Sequence, residues 1–312
     1  MAIEISIVIP VYNEERNIRI LYEEIKGVMK PTNKKYEVLF VDDGSKDHTP
    51  NILEKLKNEN KDIKIITFRR NFGQTAAIDA GFKNSSGKII ITMDGDLQND
   101  PSDIPRLIKK LEEGYDCISG WRYKRRDSFS KRFMSRGADF LRKLIFKDTI
   151  HDSGCTLKAY RKKALENLEL YGEAHRFIPA ILSIRGYRIG EIKVRHRKRK
   201  YGKTKYNLKR TVKGLLDMIL IKFWMDFSTR PIHLLGGMGL LSFGIGSLIT
   251  LYLVIIKLFF SQAIGDRPLL IFGVLFIIVG IIFIMFGILA DILIKIYYQK
   301  EKYYSIKNEI KN

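Results

Sequence analysis

The sequence predicts an α/β domain built on a mainly parallel sheet, followed by two transmembrane helices. Short apolar runs alternate with helical segments over the first 120 residues, as is typical of parallel sheets. A polar cluster follows each run directly, and parallel sheets bind their ligands beyond the carboxyl ends of the strands. Residues 232–260 and 269–290 are apolar and long enough to cross a bilayer, which takes about 20 residues. These three observations set the fold class.

Four strands are predicted from apolar, β-branched runs that stop at polar residues. The runs are residues 5–10, 36–41, 63–68 and 88–93. The polar clusters that follow them are residues 12–15, 42–45, 69–73 and 94–98. We therefore expect all four clusters at one edge of the sheet.

The chemistry is predicted to centre on Asp94-Gly95-Asp96, after the fourth strand. Side chains two residues apart on an extended chain point the same way, so both carboxylates can face one ligand. Gly95 lets the backbone turn sharply beside that ligand. Hard carboxylate oxygens suit Mg²⁺ or Mn²⁺ bound together with a diphosphate. A solvated acidic turn is the alternative, and the neighbouring polar clusters favour the metal site.

The net charge of +21 is concentrated in two segments. Residues 122–147 hold ten Lys or Arg and two Asp, and residues 191–210 hold ten Lys or Arg and one Glu. The first segment, and residues 208–223, carry apolar residues at helical spacing. Basic amphipathic helices of this kind lie on anionic lipid, although a helix facing the protein core has the same spacing.

The distribution of basic residues predicts the orientation in the membrane. Residues 261–268, between the two apolar runs, carry one Asp and one Arg, whereas the outer flanks are basic. The positive-inside rule then places the catalytic domain and both termini in the cytoplasm, in a multi-pass protein of the cytoplasmic membrane. In that reducing compartment we expect Cys117 and Cys155 to be free thiols.

Glycines recur every seven residues along the second apolar run, at 273, 280 and 287. Small residues allow close approach of helices, within one protomer or between protomers. A homo-oligomer is compatible with this pattern.

The sequence resembles the family-2 glycosyltransferases of GT-A fold. The matching motifs are Pro10-Val-Tyr-Asn-Glu14, Val41-Asp-Asp-Gly-Ser45, Arg70-Asn-Phe-Gly73 and Asp94-Gly-Asp-Leu-Gln98. A narrower resemblance, to polyprenyl- or dolichyl-phosphate sugar synthases, is seen in Leu97-Gln98, Ser135-Arg-Gly-Ala138, Asp152-Ser-Gly154, Arg176-Phe-Ile-Pro179 and Tyr201-Gly-Lys-Thr-Lys-Tyr206. It implies a Rossmann-like GT-A domain in the cytoplasm, with interfacial amphipathic helices and two carboxyl-terminal transmembrane helices.

The resemblance also implies a reaction. One sugar would move, with inversion and with Mg²⁺ or Mn²⁺, from a UDP- or GDP-sugar to a polyprenyl phosphate such as dolichyl or undecaprenyl phosphate. The Gln-x-x-Arg-Trp motif of processive synthases does not occur in the sequence, which favours a single transfer. Another family-2 enzyme, acting on a lipid-linked saccharide, is the alternative.

The resemblance assigns the donor side of the site. The residues expected to bind the nucleotide sugar are Pro10, Tyr12, Glu14, Asp42, Asp43, Arg70 and Gly73. For Asp42 and Asp43 a turn and helix cap is an alternative that can hold at the same time. Gln98 would join Asp94 and Asp96 as a third oxygen ligand of the metal.

The acceptor side must bring two anionic groups together. A lipid monophosphate is largely ionised near pH 7, so cations rather than a base are needed to bring it to the donor. Guanidinium groups match phosphate oxygens in pairs. The candidates are Arg122, Arg132, Arg136 and Arg176, with Arg197, Arg199, Lys203 and Lys205 in a basic loop. Asp152 matches an acidic position of the family near the acceptor, with a positioning or weak-base role.

The predicted organisation has five parts. Residues 1–120 bind the nucleotide sugar, 121–206 bind the acceptor, 207–230 form an interfacial helix, 231–297 cross the membrane twice, and 298–312 form a cytoplasmic tail. A membrane-tethered nucleic-acid binder would need a stacking or groove-reading motif, and none is found. A nucleotidyltransferase would need a glycine-rich phosphate loop after the first strand, where Pro10-Val-Tyr-Asn-Glu14 has no glycine.

Overall fold

The computed structural model describes residues 3–123, 150–166, 168–170, 172–198, 200, 222, 231–260, 263–264 and 268–298. Both predicted amphipathic helices fall almost entirely outside these residues, as do Arg132, Arg136, Arg199, Lys203 and Lys205. The chain divides into two compact units, Met1–Ile221 and Lys222–Asn312, and each is described by itself.

The first unit is built on a seven-stranded sheet. The strands are β1 (Ile5–Val11), β2 (Tyr36–Asp42), β3 (Ile63–Thr67), β4 (Ile89–Thr92), β5 (Cys117–Trp121), β6 (Lys158–Arg161) and β7 (Ile189–Lys193). Their order in the sheet is β3-β2-β1-β4-β6-β5-β7. β6 is antiparallel to both of its neighbours, and the other pairs are parallel. The carboxyl ends of six strands and the amino end of β6 therefore share one edge of the sheet.

Helices cover both faces of the sheet. They are α1 (Ile18–Met29), α2 (Thr49–Glu59), α3 (Gln74–Asn84), α4 (Ile104–Glu112), α5 (Lys162–Leu165) and α6 (Ile178–Ile184), with single 3₁₀ turns at Lys30–Thr32, Pro101–Asp103 and Ala174–Arg176. Apolar residues of α1, α2 and α4 pack on one face of the sheet, and those of α3 and α6 pack on the other. β1 and β2 are interior strands buried on both faces, which explains why most of their residues are apolar.

The four predicted strands are confirmed to within two residues at each end. β6 and β7 were not predicted. β6 is a four-residue strand with a lysine at one end and an arginine at the other, so it lacks an apolar run.

The second unit contains two long helices, α7 (Pro231–Phe260) and α8 (Pro268–Tyr298). Both are long and apolar enough to cross a membrane, and most of their large apolar side chains are exposed. A Cβ atom at Gly246 would lie 2.6 Å from the Gly273 carbonyl oxygen, and one at Gly280 would lie 2.7 Å from that of Gly239. The glycine pattern thus serves contact between two helices of one protomer, which is one of the two uses expected for it.

Cys117 and Cys155 are buried free thiols, as expected. Burial raises the pKa of Cys117 to about 12 and that of Cys155 to about 11. Because the thiolate is the reactive form, we expect neither cysteine to react with a maleimide at pH 8 until the domain unfolds. Lys57→Cys, at an exposed position of α2, is the matched control and should react at once. Rapid labelling of the folded wild-type protein would contradict this prediction.

Candidate functional site

Three loops at the carboxyl edge of the sheet are joined by backbone hydrogen bonds. The Asp43 N–H donates to the Val11 carbonyl at 2.9 Å, which ties the loop after β2 to the end of β1. The Phe68 N–H donates to the Asp42 carbonyl at 2.8 Å, which ties in the loop after β3. The polar clusters predicted to share this edge are therefore held next to one another.

Asp42 is the last residue of β2 and is fully buried. Its Oδ1 accepts hydrogen bonds from the N–H and the hydroxyl of Ser45, at 3.0 and 2.5 Å. Its Oδ2 is buried and has no hydrogen-bond partner among the described residues. One oxygen thus closes the turn, as expected for a capping residue, and the other is an acceptor that a ligand could satisfy.

Asp43 organises the Arg-Asn-Phe-Gly loop. Its carboxylate accepts from the backbone N–H of Phe72 at 2.6 Å and from that of Gly73 at 3.0 Å. Gly73 has φ +98°, in the region that favours glycine, and α3 begins directly after it. Arg70 in the same loop is exposed and stacks over the Phe72 ring at 4.3 Å.

The other residues predicted to bind the nucleotide lie on the same edge. Pro10, Tyr12 and Glu14 are half-buried, at the end of β1 and in the loop after it. Glu14 Oε2 accepts from the Asn17 side-chain amide at 2.6 Å, and the Glu14 N–H donates to Thr49 Oγ1. The structure brings the predicted donor residues together at the ends of β1, β2 and β3.

The two carboxylates after β4 are fixed by amide groups. Asp94 Oδ1 accepts from Gln74 Nε2 at 2.8 Å, and Gln74 is the first residue of α3. Asp96 is buried, and its Oδ1 accepts from the Gln98 N–H at 3.0 Å in a turn where Leu97 has φ +61°.

The residues around Asp94 and Asp96 fit a small divalent cation. Both carboxylates present hard oxygen donors, and Gln98 lies two residues further along the same turn. Among the described residues, no group of three or more His, Cys, Asp or Glu side chains is arranged to hold a metal. Two carboxylates suit Mg²⁺ or Mn²⁺, because Mg²⁺ is commonly held by one or two carboxylates with substrate phosphates and water.

Arg122, which is half-buried, and Asp152, which is buried, form a bidentate ion pair. Arg122 Nε donates to Asp152 Oδ2 at 2.7 Å, and Nη2 donates to Oδ1 at 2.8 Å. The Arg122 N–H lies 3.3 Å from the same Oδ2. Arg122 follows β5, so the pair lies at the same edge of the sheet as Asp94 and Asp96, with the short strand β6 between β4 and β5. Arg122 and Asp152, for which separate roles were predicted, are thus partners in one ion pair.

An aromatic and acidic cluster beside this pair was not predicted. His151 stacks on Trp121 at 4.2 Å between ring centroids, and its Nδ1 lies 2.7 Å from Glu191 Oε2. Glu191 Oε1 also accepts from the N–H groups of His151 and Asp152. Glu191 lies in β7, far along the chain from His151, so no local sequence pattern indicates this contact.

Arg176, a predicted phosphate-binding residue, forms an i,i+3 ion pair with Glu173 at 3.1 Å. Its neighbour His175 is buried, and its Nδ1 lies 2.7 Å from Thr75 Oγ1 near the start of α3. This segment therefore packs against the same helix that fixes Asp94.

Arg197 lies next to the turn that contains Asp96 and Gln98, and two acidic residues hold it there. Its guanidinium pairs with Glu24 at 2.7 Å and with Asp100 at 2.9 Å. Its N–H donates to the Gln98 carbonyl at 2.8 Å. The start of the predicted basic loop is thus fixed on the turn that contains the predicted metal ligands.

Comparison with known proteins shows what the chain is similar to. Residues 6–169 match the protein family described as Glycosyl transferase family 2. The chain is 39% identical over 305 residues to the dodecaprenyl-phosphate galacturonate synthase of Rhizobium johnstonii, covering 96% of this chain and 90% of that protein. It is 36% identical over 296 residues to the undecaprenyl-phosphate 4-deoxy-4-formamido-L-arabinose transferase of Yersinia enterocolitica, covering 94% and 89%.

Among solved structures, the chain resembles the glucosyl-3-phosphoglycerate synthase of Mycobacterium tuberculosis in complex with Mn²⁺ and UDP-glucose. The TM-score is 0.54 at 17% identity, over 70% of this chain and 78% of that one. This likeness concerns the fold, and it confirms the predicted GT-A class.

Proposed function

The chain belongs to glycosyltransferase family 2, and from this premise we propose that it transfers one sugar from a nucleotide sugar to a polyprenyl phosphate. The observation that supports this most strongly is the placement of two groups at one edge of the sheet. Asp94 and Asp96 follow β4, and the Arg122–Asp152 pair follows β5. A donor diphosphate and an acceptor phosphate can therefore be held side by side.

The donor side would be formed by the ends of β1, β2 and β3. Asp42 Oδ2 can accept a hydrogen bond from a ribose hydroxyl or a base N–H, and Tyr12, Glu14 and Pro10 line the same edge. Asp43 would act by holding the loop that carries Arg70 and Gly73, because its carboxylate accepts from that backbone. The donors we consider are UDP- and GDP-sugars.

Asp94, Asp96 and Gln98 would hold a divalent cation. When bound there, Mg²⁺ or Mn²⁺ would neutralise the donor diphosphate and stabilise the charge on the departing nucleotide. Gln74 fixes one oxygen of Asp94, and the Gln98 N–H fixes one oxygen of Asp96. Both carboxylates are thereby oriented before the donor arrives.

On the acceptor side, Arg122 would bind and orient the lipid phosphate. A phosphate oxygen would attack the anomeric carbon from the face opposite the departing diphosphate, which inverts that centre. Because the phosphate arrives ionised at about pH 7, the reaction needs no general base. Asp152 accepts two charge-assisted hydrogen bonds from Arg122, which supports a positioning role for it rather than removal of a proton.

The segment that begins at Arg197 would close the site. Loops of this type commonly gate turnover. Arg199, Lys203 and Lys205 lie outside the described residues, and their contact with the phosphates stays a prediction, as it does for Arg132, Arg136 and Arg176. The ion pairs of Arg197 with Glu24 and Asp100 support an anchoring role for its first residues.

We expect Arg197→Met to lower kcat by about tenfold, equivalent to about 1.4 kcal/mol, because the loop loses its anchor on the metal-binding turn. Glu24→Gln is the matched control, since it removes only the more exposed of the two ion pairs, and exposed pairs contribute about 0–1 kcal/mol. Steady-state kinetics should show Glu24→Gln within about twofold of wild type. An equal loss of kcat in both variants, or an unchanged kcat in Arg197→Met, would contradict the anchoring role.

The two apolar helices of the second unit associate the enzyme with a membrane. We place the catalytic domain and both termini in the cytoplasm, at the cytoplasmic membrane, because basic residues flank the helices on the outer sides. The acceptor lipid would then approach from the inner leaflet.

One assay tests the function. The full chain in detergent is incubated with Mn²⁺, undecaprenyl phosphate and a panel of radiolabelled UDP- and GDP-sugars. We expect one donor to give a labelled lipid that is extracted into organic solvent. Absence of labelled lipid with every donor, from protein that binds a UDP- or GDP-sugar normally, would contradict a polyprenyl-phosphate acceptor.

A further inference from the structure

A buried lysine contacts the turn that carries Asp152. Lys158 is the first residue of β6 and is 2% exposed. It lies opposite Thr92 of β4 and Ser119 of β5 in the sheet register. Since β6 is antiparallel to these strands, its first residue lies at the edge where their carboxyl ends meet.

The ammonium group of Lys158 donates to a neutral acceptor. Its Nζ lies 3.0 Å from the carbonyl oxygen of Ser153. Lysine is almost never fully buried unless it is paired, because removing the charge from water is costly. A carbonyl oxygen reduces that cost without cancelling the charge. An apolar residue at this position of a buried strand would avoid the cost altogether.

The acceptor of this hydrogen bond belongs to the turn that holds Arg122. Ser153 directly follows Asp152, so the turn is fixed from one side by the Arg122 guanidinium and from the other by Lys158. A Cβ atom at Gly154 would lie 3.2 Å from Arg122 Nη2, so glycine leaves room for that guanidinium. Two cationic side chains thus hold this turn, and Glu191 adds a second carboxylate to it by accepting from the Asp152 N–H.

We propose that Lys158 is a positioning residue of the acceptor site: its ammonium group fixes the Asp152–Gly154 turn, so that the Asp152 carboxylate holds the Arg122 guanidinium in place for a phosphate group. Lys158 is too deeply buried to touch the lipid headgroup, so it acts through Arg122 and the turn. The proposal rests on the proposed transfer to a polyprenyl phosphate.

The pH dependence of acceptor binding follows from the groups around the ammonium. Burial lowers the pKa of Lys158, with Arg122 adding to the effect and Asp152 opposing it. The two thiols that face it, Cys117 and Cys155, have pKa values raised by burial to about 12 and about 11. Lys158 therefore loses its proton at a lower pH than an exposed lysine does, and its hydrogen bond to the Ser153 carbonyl then loses the strength that the positive charge gives it.

The experiment compares Lys158→Met and Lys158→Arg with Lys163→Met, a control at an exposed position of α5. Each full-length variant is assayed in detergent with undecaprenyl phosphate and the accepted nucleotide sugar. We expect Lys158→Met to raise the KM for undecaprenyl phosphate about tenfold, with the donor KM and Tm near wild type. Lys158→Arg should restore the acceptor KM, and Lys163→Met should leave it unchanged.

A pH series provides a readout that loss of packing does not reproduce. The acceptor KM of wild type should rise at alkaline pH, and that of Lys158→Arg should stay flat because arginine keeps its charge. If Lys158→Met does not fold, this comparison still tests the proposal. An unchanged acceptor KM in Lys158→Met, parallel rises in donor and acceptor KM with a lowered Tm, or identical pH profiles for wild type and Lys158→Arg would overturn it. Failure of wild type to label any polyprenyl phosphate would instead overturn the proposed function.

Discussion

Replacing Asp94 or Asp96 by asparagine is expected to lower turnover by about a thousandfold or more, even at saturating Mn²⁺. Asparagine has the same shape as aspartate and can still accept from Gln74 at position 94 or from the Gln98 N–H at position 96. The fold should therefore survive, and the loss reports the missing carboxylate charge. The assay is sugar transfer to undecaprenyl phosphate at a series of Mn²⁺ concentrations.

Two further measurements separate a lost metal from a damaged fold. Mn²⁺ binding, followed by electron paramagnetic resonance, should weaken in both variants while Tm stays within a few degrees of wild type. Asp79→Asn is the matched control, because Asp79 pairs with Lys83 on the surface of α3, and we expect wild-type turnover from it. Substantial turnover by both site variants at saturating Mn²⁺ would remove the metal assignment.

The second large effect is expected at the Arg122–Asp152 pair. Arg122→Met leaves the Asp152 carboxylate buried without its guanidinium, and breaking a buried pair on one side costs about 3–5 kcal/mol of stability. Turnover should fall by about a hundredfold, because the cation that orients the lipid phosphate is gone. Thermal unfolding and acceptor kinetics measure the two effects separately.

The double variant Arg122→Met/Asp152→Leu separates the effect of the ion pair on stability from its effect on turnover. Removing both charges together should recover most of the lost stability, since apolar replacement of a buried pair is often neutral or stabilising. Turnover should stay low. Recovery of turnover in the double variant would show that Arg122 has only a structural role. Near-native turnover in Asp152→Asn would exclude removal of a proton by Asp152.

The central strands were predictable because burial leaves a clear trace in sequence. β1 and β2 are covered on both faces, and their residues are apolar except for Ser6, Glu37 and the terminal Asp42. β6 leaves no such trace, since it consists of Lys158, Ala159, Tyr160 and Arg161. Its direction and its place between β4 and β5 follow from tertiary contacts, which no local pattern encodes.

The sequence predicted which residues lie at the candidate site better than it predicted the contacts between them. Motif spacing located Asp42, Asp43, Asp94 and Asp96 at one edge, and the structure confirms that they share it. Motif spacing did not indicate that the Asp43 carboxylate accepts hydrogen bonds from the backbone N–H groups of Phe72 and Gly73.

Long-range partners were beyond the reach of the sequence. Arg122 and Asp152 are 30 residues apart, and each was assigned a role of its own. Nothing in the sequence distinguishes Lys158, because a lysine in a basic protein is normally a surface residue. Its burial, visible only in the folded domain, is what distinguishes it.

The central claim is that the nucleophile arrives as an ionised phosphate, drawn by Arg122 to the donor held at Asp94 and Asp96. It is tested most directly by comparing undecaprenyl phosphate with undecaprenol, which lacks the phosphate, as acceptors for the full-length enzyme in one detergent with one donor. We expect a labelled lipid from undecaprenyl phosphate alone, in an amount that falls sharply in Arg122→Met. Transfer to undecaprenol at a comparable rate would contradict the account.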